Sequence, residues 1–231
     1  MGRRAFIVAI DGPAGAGKST VSKLLARRLG FVLVDTGAIY RCVALLAIRA
    51  NVALDDDAKL VALLGDLEVS FAVVGDELRV MLGKEDVSST IRTPEVSMAA
   101  SKVSSRPPVR SGLLSLQRRL ALEAERGAIL EGRDIGTVVF PDADLKFFLE
   151  ARPEARARRR YEELFQKGVE ISFDEVIADQ TKRDRDDSSR AVAPLKAALD
   201  AIHVDSTKMP ISEVVQAMEK VIRDRLARAS D

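Results

Sequence analysis

The chain has 231 residues, 47% hydrophobic and 31% charged, which suits a large α/β domain with a modest insertion. A formal net charge of +1 excludes a surface built as a whole to coat nucleic acid or an acidic membrane. A single cysteine, Cys42, excludes an internal disulfide, and a lone histidine, His203, argues against a zinc or histidine-based centre.

The apolar run Phe6–Ile10 predicts a buried strand. It is short and breaks at Asp11, so neither a signal peptide nor a membrane span is expected. Gly12-Pro-Ala-Gly-Ala-Gly-Lys-Ser19 follows at once, a complete G-x-x-x-x-G-K-[ST] phosphate loop between strand and helix. Its glycines let backbone N–H groups turn inward around phosphate oxygens, and the helix aims its positive end at the same place. Gly12, Pro13, Ala14, Gly15, Ala16 and Gly17 are thus expected to cradle a triphosphate. Lys18 reaches the β- and γ-phosphates, and the Ser19 hydroxyl completes a Mg²⁺ shell. Val21, Leu24, Leu25 and Leu29 share one helical face, and Gly30 stops the helix.

Phe31–Val34 reads as the second strand, followed by Asp35-Thr-Gly-Ala-Ile-Tyr-Arg41. Ligands of open α/β sheets sit at the carboxyl ends of strands, which puts Asp35 and Thr36 on the rim of the phosphate loop. The alternative is a plain helix cap with a solvated Arg41. Cys42 lies in an apolar stretch and reads as a buried thiol in a reducing compartment. From Leu67 to Val87 the period changes to two, with a turn at Gly75-Asp76, so an antiparallel hairpin is expected. With a helix over Pro94–Ser104 it makes an insertion spanning 65–105, either decorative or in contact with substrate. The second reading is favoured, because the chain leaves and re-enters beside sequence that looks functional.

Leu113, Leu116 and Leu120 predict a helix between Pro107 and Arg126. The strand Ala128–Glu131 then delivers Arg133 and Asp134 between Gly132 and Gly136, as a structural ion pair or as site residues. Leu145–Leu149 is the fourth strand. Ser172 to Glu175 reads as a capping box, which weakens the match of Thr181-Lys-Arg-Asp184 to a guanine-reading motif that should follow a strand. The run Thr181–Arg190 reads as a solvated charged helix end, or as mobile cations that close over a transferring phosphate. Its aspartates would hold the arginines apart in the empty site. Ile202–Val204 is the fifth strand, and Ile211, Val214, Val215, Met218 and Ile222 form one face of the last helix. Strands alternating with helices predict an α/β fold with a five-stranded parallel sheet buried between them.

Four segments together resemble bacterial cytidylate kinases, P-loop nucleoside monophosphate kinases. They are Ile10–Thr20, Asp35–Arg41, Glu131–Pro141 and Arg183-Asp through Arg190-Ala-Val-Ala-Pro194, in register from about Ile7 to the last helix. The resemblance implies phosphoryl transfer from ATP to CMP or dCMP with Mg²⁺, in a monomeric cytoplasmic enzyme. It implies a core of residues 1–64 and 106–231 with a helical lid at about 155–192, and a monophosphate-binding insertion at 65–105. Lys18, Arg133, Arg183 and Arg190 would be catalytic. Thr20 and Arg159 would join the phosphate loop on the ATP side. Ser101, Arg110 and Asp134 would read cytosine. Arg41, Arg133 and Arg190, joined by Arg183, would hold the acceptor phosphate. Arg183 and Asp187 would approach the pentose, and Thr36 would stand near the acceptor. The chemistry agrees: a carboxylate accepts from cytosine N4 and a guanidinium donates to N3, whereas uracil reverses both. The rival readings are the same fold acting on UMP, AMP or shikimate, and a GTPase-type switch.

Overall fold

The structure, a computed structural model, describes residues 4–74, 77–166 and 168–228. In chain order it runs β1 (Phe6–Asp11), α1 (Lys18–Leu29), β2 (Val32–Asp35), α2 (Thr36–Arg49) and the short α3 (Asp57–Ala62). Next come β3 (Val69–Val74), β4 (Glu77–Leu82), β5 (Glu85–Asp86) and α4 (Pro94–Ser104). The remainder is α5 (Pro107–Leu122), β6 (Gly127–Gly132), β7 (Leu145–Glu150), α6 (Pro153–Gln166), α7 (Phe173–Ser188), β8 (Ile202–Asp205) and α8 (Ile211–Arg228).

Five strands form one parallel sheet in the order β2-β6-β1-β7-β8. β1 and β6 are buried at every position, as strands covered by helices on both faces must be. Ile7, Ala9 and Leu130 face α2, α4 and α5 on one side. Val8, Ile10, Ile129 and Leu149 face Val21 and Leu25 of α1 and Val214 and Met218 of α8 on the other. Each such burial contributes roughly 1.5–3 kcal/mol. No helix among the described residues is long and apolar enough to cross a membrane.

All five expected strands form, but their ends move. β1, β2, β6, β7 and β8 each continue one residue further, to Asp11, Asp35, Gly132, Glu150 and Asp205. The apolar run stops where the side chain turns polar, whereas backbone pairing continues to the rim. Phe31 lies outside β2; its N–H bonds Ala26 O at 2.9 Å beyond the left-handed Gly30, and its ring packs on Phe6. β8 corrects the expectation of a buried strand: it is an edge, with Ile202 and His203 exposed.

β3 and β4 pair antiparallel as the alternation predicts, with Phe71 opposite Val80. The Gly75-Asp76 turn lies outside the described residues. A third strand, β5, pairs Met81 with Asp86; two acidic residues carry no alternation to announce it. Val69, Val80 and Val87 join the apolar cluster of α2, α4 and α5, so the small sheet shares a core with the large one. The helix over Pro94–Ser104 starts on Thr93, whose hydroxyl faces the Val96 N–H, with Pro94 in its first turn.

α6 and α7 bury little apolar surface, chiefly Ala157 and Val176. The capping box opens α7: Ser172 accepts from Glu175 N–H, and Glu175 accepts from Ser172 N–H. Polar bonds hold the pair to the sheet. The Arg156 guanidinium donates to Ala151 O, to Ala14 O at 2.9 Å, and to both carboxylate oxygens of Asp184. Gln180 donates to the same Ala14 carbonyl at 3.0 Å.

Gly12 holds φ at +150°, and a Cβ there would lie 2.0 Å from Leu149 O, a strand carbonyl with no freedom to retreat. Gly12→Ala is expected to cost more than the roughly 1–3 kcal/mol of backbone strain alone. The melting temperature should fall by at least about 2–4 °C per kcal/mol lost, together with nucleotide binding.

Candidate active site

The phosphate loop lies where the central strand ends. Lys18 is buried, and its ammonium donates to Gly12 O at 2.7 Å and Pro13 O at 2.8 Å. Burial pushes its pKa down, Arg133 adds to that push, and Glu131, Asp11 and Asp187 oppose it. An arriving polyphosphate would restore the full charge. Gly15 is open to solvent at the loop tip, with φ +75°. Thr20 is exposed on α1.

Ser19 Oγ donates to Glu131 Oε2 at 2.9 Å. Glu131 stands one residue before the end of the buried strand β6 and is itself buried, which pushes its pKa up; Asp35 adds to the push, and Lys18 and Ser19 oppose it. Reading the motifs did not assign Glu131 a role, although a carboxylate closing an apolar strand beside the phosphate-loop strand is the signal for one. Among the described residues no cluster of three or more His, Cys, Asp or Glu could hold a metal alone. A hard cation here would therefore need phosphate oxygens besides Ser19, and that donor set fits Mg²⁺, which keeps waters and binds with substrate phosphates.

Asp35 and Thr36 are both engaged within the fold. Asp35 caps α2 through Ala38 N–H at 2.9 Å, and Thr36 Oγ1 donates to Glu131 O at 2.7 Å. Arg41 is half-buried, and burial is the main cause lowering its pKa. Asp35 steadies its charge, and Arg92, Arg133 and Arg183 repel it. Arg92, from the segment between β5 and α4, is a cation that the motifs did not single out.

Arg133 and Asp134 do not pair with each other. Arg133 Nε donates to Asp187 Oδ2 at 2.7 Å, and Arg190 bonds the other Asp187 oxygen. Asp187 thus bridges two arginines. Asp134 accepts from Arg110 at 2.5 Å, both nearly closed to solvent, and Arg110 also donates to Ser104 O at 2.9 Å. The Arg110 guanidinium stacks on the Tyr40 ring, 5.4 Å from its centroid. Among the described residues the buried Nε atoms of Arg110 and Arg190 find no hydrogen-bond partner. Unpaired buried donors cost about 1–3 kcal/mol each.

Three other expected residues stand outside this hydrogen-bond network, although Arg183 is near enough to Arg41 to repel its charge. Ser101 is exposed on α4, one turn before the Ser104 carbonyl that anchors Arg110. Arg183 pairs with Asp179 on its own helix at 3.0 Å. Arg159 donates to the hydroxyl and carbonyl oxygens of Ser206, and Ser206 Oγ in turn donates to Ala16 O at 3.1 Å.

The family model for cytidylate kinase matches residues 8–224. The chain belongs to the cytidylate kinase family. The cytidylate kinase of Geobacter sulfurreducens is 56% identical over 224 residues, covering 97% of this chain and 95% of that protein. That of Aeromonas salmonicida is 49% identical over 230 residues, covering 100% of this chain and 99% of that one. A solved structure of an uncharacterized protein from Eubacterium ventriosum superposes with a TM-score of 0.51 at 13% identity. It covers 94% of this chain and 98% of that one, and bears on the fold alone.

Within this member of the cytidylate kinase family, Asp11 is the second buried carboxylate of the rim. Burial raises its pKa to about 6, against two backbone hydrogen bonds and Lys18 that lower it. Its folded pKa exceeds the unfolded value of 3.8, so its contribution is complete below pH 3.8 and lost as pH rises through about 6. Between these values, Asp11→Asn should flatten the decline of unfolding free energy with pH by up to about 1.4 kcal/mol per unit. Urea unfolding of both proteins at pH 4.5 and 6 measures it.

Proposed function

We propose that the chain transfers the γ-phosphoryl group of ATP to CMP and dCMP, giving CDP and dCDP. The buried Arg110–Asp134 pair supports this reading most directly. Cytosine offers an amino donor at N4 and an acceptor at N3, and this pair offers the matching carboxylate and guanidinium. Uracil turns both groups the wrong way and leaves them unpaired, which costs up to roughly 10⁴ in kcat/KM.

The remaining roles follow from charge and reach. Backbone N–H groups of Gly12 and of residues 14–17 and the Lys18 ammonium bind the triphosphate, and Lys18 exchanges its Gly12 and Pro13 carbonyls for phosphate oxygens. Ser19 would hold Mg²⁺ together with phosphate oxygens, and the ion would supply further positive charge to the triphosphate. Arg41, Arg133, Arg183 and Arg190 bind and orient the acceptor phosphate in line with the γ-phosphorus. Asp187, bridging Arg133 and Arg190, keeps the two guanidinium groups together until that phosphate replaces it. The nucleophile is an oxygen of the CMP phosphate, already deprotonated at neutral pH, so alignment and charge neutralisation suffice without a general base. Segment 65–105 serves as the acceptor-binding insertion, and α6 with α7 as the lid that keeps water from the γ-phosphate. Thr36, Ser101 and Asp187 line the acceptor side in this reading, and Thr20 and Arg159 the ATP side.

Asp134→Asn keeps the shape and removes the charge. It should lower kcat/KM for CMP about 100-fold, leave KM for ATP within about twofold, and narrow the preference over UMP. A coupled ADP-release assay across the nucleoside monophosphates tests both variant and reading. If UMP or AMP is the preferred acceptor of the unsubstituted protein, the reading fails. Without an acceptor, ATP hydrolysis should run at least about 100-fold below kcat for CMP, a gap equal to two 1.4 kcal/mol steps.

A further inference from the structure

Asp11 closes the central strand, and nothing in the fold alone asks for a carboxylate there. It is 4% exposed, and a buried ion is costly unless fully hydrogen-bonded. Both of its oxygens are engaged. Oδ1 accepts from Ile135 N–H at 2.8 Å and Oδ2 from Gly136 N–H at 2.7 Å. Those N–H groups open a single π-helical turn, Ile135–Val139, and the first donors of any helical turn have no partner inside it.

The residue normally placed to satisfy them is the one at the turn's N-cap, and here that is Asp134. Asp134 makes no side-chain cap bond. Its carboxylate meets Arg110 instead. Asp11, 124 residues upstream of Ile135, does the capping from another strand. A Cβ on Gly136 would stand 3.4 Å from Asp11 Oδ2 and 3.1 Å from Lys146 Cδ, which leaves little space for water to substitute.

We propose that Asp11 is a positioning residue for base recognition: by capping the 135–139 turn from β1, it frees the Asp134 carboxylate to face Arg110 and the acceptor's base. The inference rests on the assignment of Asp134 to the acceptor's base made above. It explains why Asp134 and Arg133, adjacent in sequence, can point to different partners: the turn that follows them is pinned from outside. Asp11 is also bonded covalently to Gly12, so one residue joins the loop that holds ATP to the turn that reads the acceptor.

Asp11→Asn tests this. An amide can accept from one of the two N–H groups but opposes the other with its own N–H. The uncapped donor then competes with Arg110 for Asp134. KM for CMP should rise about tenfold, the effect of one buried donor left unpaired, with KM for ATP within about twofold. In an Asp134→Asn background the same change should add less than about twofold, because Asp11 acts through Asp134. Equal rises in both KM values, no rise, or additive losses in the double variant would overturn the proposal. The unsubstituted protein is assayed first on CMP and UMP. Absence of a preference there strikes the base-reading assignment, and the capping is then judged by a crystal structure of Asp11→Asn, where Asp134 should swing onto the N–H groups of Ile135 or Gly136. If Asp11→Asn does not fold, a structure of the unsubstituted protein with CMP decides. Asp11 on the turn and Asp134 on the base supports the proposal, and Asp134 on its own turn refutes it.

Discussion

Charge held out of water at the carboxyl rim of the five-stranded sheet is the constraint on which the rest of the molecule depends. Three carboxylates lie at the carboxyl ends of the neighbouring strands β1, β2 and β6, Asp11 and Asp35 at the last position and Glu131 one residue before it, and all three are buried. Lys18 is buried among them. Ions in such a place are costly, burial shifting the pKa of Asp11, Glu131 and Lys18, so each needs donors or acceptors. The neighbouring elements supply these: the first turn of α2 donates to Asp35 through Ala38 N–H, the π-helical turn donates to Asp11, and Ser19 donates to Glu131. The helices and turns that surround the rim are thereby fixed by the charges they serve.

The arginines extend the same logic outward. Arg110 is matched to Asp134, Arg133 and Arg190 to Asp187, and Arg156 to Asp184. A positive field built from half a dozen guanidinium groups would fly apart without these partners. Paired, it stays in position, and a phosphate can replace a carboxylate at little cost in reorganisation, which is how preorganised electrostatic sites act. The α6–α7 pair is tied in by Arg156 and Gln180, both donating to Ala14 O in the phosphate loop. Those contacts are few and polar, and the apolar surface beneath is small. Such an element opens at low cost compared with the core.

Much of this was legible before any coordinates. The phosphate loop carries its own context, because an apolar strand, a glycine turn and Lys-Ser in register admit few other structures. The capping box at Ser172 and the Pro94 helix start are local, and local rules sufficed. Other features were hidden for physical reasons. β5 is two acidic residues paired to an edge, with no pattern of its own. β8 has the apolar letters of a buried strand but sits at the end of the sheet order, which only the packing reveals. The roles of Glu131 and Asp11 rest on contacts with residues more than a hundred positions away, which motif spacing does not show.

The sequence by itself determined the fold class, the family and the phosphate-loop motif, because these depend on residue spacing within a strand, a turn or a helix. Tertiary structure alone decided the partners. Adjacent Arg133 and Asp134 go to opposite neighbours, Thr36 spends its hydroxyl on a strand carbonyl, Arg159 turns to Ser206, and Asp11 caps a turn that Asp134 leaves uncapped. Charges pair through space with whatever the folded chain brings within about 3 Å, and no local pattern encodes that choice.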